Sequence, residues 1–519
     1  MAAHLPSLST PFVTSPKLAP NNKAGFKPWS TTLVRCEPRA EGCGRSAAQR
    51  RPSRYQPSTW NYDFIQSITS ATSIETQTTR VEELRREVQQ LITSTTEQVA
   101  LLELIDSLER LSAAYHFESE IRRPLDAISM STRGFEDLYS SSLRFRILRQ
   151  HGYNVSAECF SRFREQSGRF SENLREDVRG LLSLYEASQL ACEGETVLEE
   201  ATAFSSEHLR ARTTRMDKRM SRQVKRGLQV PLHRRVCRVE AREYIETFER
   251  TDRRSQVLHE FTRLDFNMVQ TVHQRELREL SGDLGLGDHI CFTRDRLVES
   301  YFMAVGKMHQ PQFSQYRMQL ARVSYLIATV EDIFGEDQSV EELEPFVQVV
   351  ERVLYIVYMQ VGSSGGRAAA TVTEELTWLK QGGTMPTDTK ARGISEQHPG
   401  SHGPILLPSY FFLSQNIEEQ AIQQLSVQIY MNEARLVEEQ ARQHIRNLPR
   451  DAWRRLNREL LSALQQQQQT TFSRSFMNVA LNIARVSQCM YDYEDGIGVL
   501  EHESTGRIYS LMAEPILTA

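Results

Sequence analysis

The chain has 519 residues, 39% of them hydrophobic and 25% charged, with a formal net charge of -4; this is the make-up of an ordinary globular protein long enough for two domains. The near balance of basic and acidic residues gives no reason to expect nucleic acid as a partner, and no apolar run approaches the roughly eighteen residues that a membrane-spanning helix needs. Seven cysteines, at Cys36, Cys43, Cys159, Cys192, Cys237, Cys291 and Cys489, form no CxxC or Cys/His spacing, which argues against a zinc framework and predicts reduced thiols, mostly buried as small hydrophobes.

Residues 1 to 36 contain no Asp or Glu but carry Lys17, Lys23, Lys27 and Arg35 among many Ser, Thr and Pro. That is the composition of an organelle transit peptide, without the apolar core of a secretory signal. From about Asp63 onward the pattern is helical. Arg80 to Thr93 and Leu101 to Phe117 both place apolar residues at three- and four-residue spacing, so each is expected to form one amphipathic helix. No alternating strand pattern, Gly-rich phosphate loop or regular repeat interrupts the series, and the expected fold class is all-α.

Arg and Lys crowd Arg210 to Arg226 (RARTTRMDKRMSRQVKR) with no aromatic residue for base stacking, which predicts a solvated helix face rather than a nucleic-acid site. Further on, Arg294 and Arg296 flank Asp295. The acidic segment Leu326 to Phe346 (LIATVEDIFGEDQSVEELEPF) then sets Glu331 over Gly335 on one helix face. It sets Asp332 over Glu336 about 100° round the same helix. By itself this segment reads either as a cation site, since Mg²⁺ takes carboxylate oxygens, or as a solvated acidic helix end. The stretch Gly362 to Gly403 is too long for an ordinary helix connection, and Gln465 to Gln469 is of low complexity.

Taken together, ordered phrases along nearly the whole chain resemble the plant class I terpene synthases of the monoterpene type. RRPSRYQPSTW sets Arg50, Arg51 and Trp60 in that group's RR(x)8W pattern. LELIDSLERLSAAYHFESEI, LRFRILRQHGYNVS and LLSLYEASQLACEGE resemble successive helices of its N-terminal domain. TRDRLVE carries its RxR, the acidic segment resembles its DDxxD region, and SQCMYDYEDGIGVLEHE resembles its pocket-closing YxxGDG loop. The resemblance implies a plastid transit peptide at 1–49, an N-terminal α-barrel at 50–250 and a C-terminal metal-binding α-bundle at 251–519. It implies Mg²⁺ or Mn²⁺ as cofactor, geranyl diphosphate as the prenyl diphosphate substrate, and a monomer or homodimer in the plastid stroma. Glu331, Asp332 and Glu336 would hold metal, and Arg294 and Arg296 would grip diphosphate. Arg50, Arg51 and Trp60 would cover the active-site mouth, while Tyr491 and Asp495 would join Arg294 in catalysis, with Tyr410, Phe411 and Phe412 as further aromatic candidates.

Five features depart from the family pattern. Gly335 stands where the third acid of DDxxD belongs, and the second metal motif has no counterpart around Gln423 to Val427. ELRELSGDLGLGD lacks the paired Trp of the family's phrase, and Leu354 to Pro404 is shorter than the family's equivalent. In the closing loop, Glu494 also replaces a Gly. These departures predict a sound N-terminal domain, a loosely packed C-terminal one and an impaired synthase; the alternative is a catalytically inactive terpene synthase-like protein, whether a pseudoenzyme, a mis-spliced product or a partner subunit.

Overall fold

The structure is a computed structural model that describes residues 60, 62–68, 74–131, 134–248, 253–284, 295–334, 431, 437–465, 474–491 and 503–516. Among these residues the regular elements are helices, with one isolated antiparallel bridge, Arg164 to Phe170, and no strand. The order is α1 (Tyr62–Ser67), α2 (Ile74–Ser94), α3 (Gln98–Arg110), α4 (Glu118–Met130), α5 (Leu138–Gln150), α6 (Val178–Ser188), α7 (Thr196–Arg212), α8 (Lys218–Gln229), α9 (Cys237–Thr247), α10 (Arg253–Leu284), α11 (Leu297–Lys307), α12 (Ser314–Phe334), α13 (Glu438–Gln465), α14 (Arg474–Tyr491) and α15 (Glu503–Met512).

Local chemistry sets several of the starts. Asp137 Oδ1 accepts from Ser140 N at 2.8 Å to begin α5 and Asp177 Oδ1 accepts from Gly180 N at 2.8 Å to begin α6. Each satisfies an amide that has no partner inside the helix. The expected helix from Leu101 to Phe117 is broken. α3 stops at Arg110, Ser112 takes a left-handed φ of 56°, and a short 3-10 turn covers Ala114–His116. The Ser112 hydroxyl is hydrogen-bonded to His309 Nε2 at 3.0 Å across the structure, so a contact distant in sequence accompanies a turn that Ala113 and Ala114 do not signal. The cysteines are also corrected in part: Cys159, Cys192, Cys237 and Cys489 are free thiols but half-buried rather than buried.

One apolar core runs from Trp60 and Ile65 through α2, α3, α4 and α10–α12 to Ile508, Leu511 and Ile516. Trp60 is buried, 6.2 Å from the ring of Tyr509 and 5.7 Å from that of Phe64, which pins the start of the described chain onto α15. A second core, with Phe145, Phe160, Phe163 and Phe170 at its centre, lies beneath α5–α7.

Polar pins join these elements. Glu240 on α9 is buried and receives Arg235 at 2.8 Å, Arg226 at 2.7 Å and Arg110 at 3.0 Å. Burial alone would raise its pKa, but Arg235, Arg110 and Arg226 outweigh burial and hold the carboxyl at about 2. A carboxyl depressed in the folded state contributes stability above its unfolded pKa and loses it as pH falls toward the folded value. The melting temperature is therefore expected to fall between about pH 4.5 and 2, and to fall less steeply there in Glu240→Gln; equal slopes by calorimetry would contradict this assignment.

At the α11–α14 contact a Cβ on Gly306 would lie 2.4 Å from Val486 Cγ2, so the helices approach as closely as they do because this side chain is absent. Gly306→Ala is expected to cost about 1–3 kcal/mol through overpacking, read as a lower urea midpoint, and an unchanged midpoint would contradict the reading.

Candidate functional site

The layer α10–α11–α12–α14 carries the residues that the sequence singles out, and its ion pairs fix its register. Arg317 on α12, fully buried, meets Glu276 on α10 through Nε at 2.8 Å. The Tyr301 hydroxyl of α11 donates to the same carboxylate at 2.7 Å. Farther along, Arg322 of α12 pairs with Asp283 of α10. Residue numbers rise together in these two pairs, so α10 and α12 run in the same direction, with α11 returning between them. Asn482 of α14 donates to the Lys307 carbonyl at 3.1 Å, while Val486 packs beside Gly306 and Met303. α14 is thus antiparallel to α11.

This topology gathers four helix ends: the C-termini of α10, α12 and α14 and the N-terminus of α11. Asp295 and Arg296 lead into α11 there. Asp295 Oδ1 accepts from Leu297 N at 3.0 Å, and its carboxylate also takes a hydrogen bond from the Tyr325 hydroxyl of α12. Burial raises the Asp295 pKa, while the Leu297 amide and the Tyr325 hydroxyl oppose the rise; burial and Asp295 in turn push the Tyr325 phenol up. The backbone positions of Glu331 and Asp332 lie about two turns beyond Tyr325, in the last turn of α12, and Tyr491 ends α14. The segment bearing Arg296, the acidic pair and Tyr491 therefore share one end of the bundle.

Arg50, Arg51, Arg294, Gly335, Glu336 and Asp495 lie outside the described residues, as do Gln423 to Val427, Tyr410 to Phe412 and the stretch Leu354 to Pro404. Glu331, Asp332 and Tyr491 are described by their helical backbone alone. Trp60 sits in its aromatic trio with Phe64 and Tyr509. In the sequence Asp295 reads as the spacer between two arginines, and nothing there marks Tyr325, Glu276 or Arg317. The signal available was an Asp two residues before the helical run LVESYF, a position suited to holding a first-turn amide.

Whether the acidic turn suits a metal can be judged from its place. Two adjacent acids occupy the final turn of a helix whose preceding residues Ser324, Tyr325, Leu326, Ala328 and Thr329 are buried. Carboxylates are disfavoured at that negative end of the helix dipole unless a cation offsets them, and their hard oxygens suit Mg²⁺ or Mn²⁺. Among the described residues no group of three or more His, Cys, Asp or Glu side chains is placed to hold a metal, so a complete set would require Glu336 or residues beyond it.

A cavity of about 210 Å³ lined by His233, His309, Cys237, Asn457, Asn482 and Arg485 lies near the opposite, Lys307 end of α11, some 15 Å along that helix at 1.5 Å per residue. Burial, with Arg485 adding to it at His233 and Arg238 at His309, pushes both imidazoles down to about 3, so both are neutral structural groups. Among the described residues no helix is long and apolar enough to cross a membrane.

Comparison with known proteins gives this arrangement its context. The family model described as terpene synthase, N-terminal domain, matches residues 59–228, and that of the terpene synthase family, metal binding domain, matches residues 282–357. (-)-Alpha-terpineol synthase of Vitis vinifera is 32% identical over 90% of this chain and 91% of its own length, and chloroplastic myrcene synthase of Quercus ilex is 33% identical over 90% of each. Each of these alignments spans 542 residues, more than the chain contains, so each opens gaps in this chain. The structure of grey poplar isoprene synthase with three Mg²⁺ ions and dimethylallyl-S-thiolodiphosphate superposes with a TM-score of 0.68 at 30% identity, covering 89% of this chain and 99% of that one.

Proposed function

We propose, since the chain belongs to the terpene synthase family, that it is a class I monoterpene synthase, a lyase that removes diphosphate from geranyl diphosphate in the plastid stroma. The observation that carries this reading is the convergence of Arg296, the Glu331–Asp332 turn and Tyr491 at one end of the α10–α12 and α14 layer. The (-)-alpha-terpineol and myrcene synthases, similar along about nine-tenths of their length, support the ten-carbon substrate, and relatives named chloroplastic support the compartment.

Glu331, Asp332 and Glu336 are the residues that would hold Mg²⁺, or Mn²⁺ in its place, and the metal would supply charge neutralisation for the departing diphosphate. Arg294 and Arg296 would take the rest of that charge, since a guanidinium donates a planar fork of hydrogen bonds and never loses its proton. Asp295, held by Tyr325 and the Leu297 amide, would keep the two arginines from swinging away. Tyr491 would offer an aromatic face to developing positive charge, and Asp495 would join it in catalysis. Arg50 and Arg51 would cover the mouth and exclude water, with Trp60, buried against Phe64 and Tyr509, anchoring the segment that bears them. Gly335 and the missing second motif leave this metal set short of carboxylates, so the proposed enzyme is slow and acts as a monomer or homodimer.

The test is a substrate panel with purified chain and Mg²⁺. Geranyl diphosphate is expected to be consumed in preference to dimethylallyl and farnesyl diphosphates. Preference for dimethylallyl diphosphate would move the assignment to an isoprene-forming enzyme, and consumption of none would reject it.

A further inference from the structure

The surface of α8 has a charge pattern unlike the other exposed helices. On α2 and α13, by contrast, arginines pair with glutamates three or four residues away, as in Arg80–Glu83, Arg85–Glu82 and Arg442–Glu438. Residues 210–226 instead carry eight Arg and Lys against one acid, Asp217, within a chain of net charge -4. Asp217 is spent on the start of α8, where its Oδ1 accepts from Arg219 N and Met220 N at 2.9 and 3.0 Å.

Six of the eight bases fall into two sets. Arg212 pairs with Glu176, and Arg226 turns inward to Glu240 and Glu243. Arg215, Lys218, Arg222 and Lys225 are exposed and form no ion pair among the described residues. Lys218, Arg222 and Lys225 follow one another at helical spacing on a single face, and like charges so placed cost a few tenths of a kcal/mol each. The opposite face is apolar: Met220, Val224 and Leu228 pack with Leu181, Tyr185 and Leu209. The outward face is thus cationic and carries no aromatic or aliphatic anchor.

We propose that this face of α8 docks the protein on an anionic lipid bilayer. A protein partner would need buried aromatic or aliphatic anchors, and single-stranded nucleic acid would need aromatic rings for stacking. The face offers neither, and it matches a plane of negative headgroups bound by charge alone. The attachment is peripheral, reversible and sensitive to salt, because each base near such a surface contributes separately and is screened within a Debye length.

The experiment is flotation of the full chain with vesicles of phosphatidylcholine alone or with one-third phosphatidylglycerol. Binding to the phosphatidylglycerol vesicles alone is expected, with release in half-molar salt. Each neutralised base should weaken partition about fivefold, so Arg215→Gln, Lys218→Gln, Arg222→Gln and Lys225→Gln combined should lose on the order of a hundredfold or more. Circular dichroism of the variant should match the parent, since none of the four side chains packs inward. Failure to float with anionic vesicles at low salt overturns the proposal. So does undiminished flotation of the fourfold variant, which would place binding elsewhere, such as the basic leader. A preference for polyglutamate or RNA over vesicles at equal ionic strength also overturns it.

Discussion

Glu276→Ala is expected to lower the stability of the helical layer by about 3–5 kcal/mol, because it leaves the fully buried guanidinium of Arg317 with its charge uncompensated. The same carboxylate accepts from the Tyr301 hydroxyl, so one deletion loosens α10, α11 and α12 together. Burial alone would lower the Arg317 pKa, and hydrogen bonding to Glu276 outweighs it, so the arginine cannot escape the cost by giving up its proton. Urea denaturation measures the effect. A double replacement with apolar residues of similar volume, Glu276→Leu with Arg317→Met, should recover much of the loss, since a buried pair is costly mainly when broken. A loss below about 1 kcal/mol in Glu276→Ala would show that the pair is solvated and does not hold the layer.

Glu331→Gln combined with Asp332→Asn is expected to have the opposite profile. These residues end α12, where negative side chains oppose the helix dipole, so neutralising them should leave stability unchanged or raise it by about 0.3–1 kcal/mol. Turnover of geranyl diphosphate in Mg²⁺ should fall on the order of a hundredfold or more, because preorganised charge at a departing group is worth several kcal/mol. Steady-state kinetics beside a thermal melt separates the two readouts. Equal turnover in parent and variant would remove the acidic turn from the reaction.

The helices were legible because burial imposes a three-to-four residue period, although α2 begins six residues before the expected Arg80, nearly two turns, and ends one residue after Thr93. The break after Arg110 was not, since Leu111 to Ala114 carry no strong helix breaker and Ser112 is engaged by His309, nearly two hundred residues away. At the candidate site the acidic turn, Arg296 and Trp60 were visible only through ordered family phrases, because paired charges and buried aromatics have commoner structural uses. Trp60 in fact spends its ring on Phe64 and Tyr509. The contacts that fix the site's register, Glu276 with Arg317 and Tyr301 and Asp295 with Tyr325, join residues 25 to 41 positions apart. No local pattern signals such partners.

The most direct test of the account is headspace mass spectrometry of purified chain incubated with geranyl diphosphate, with Mg²⁺ and then with excess chelator. A C10 alkene or alcohol is expected to form slowly with Mg²⁺ and to disappear on chelation. Intact substrate in both tubes, or product that persists without divalent metal, would contradict it.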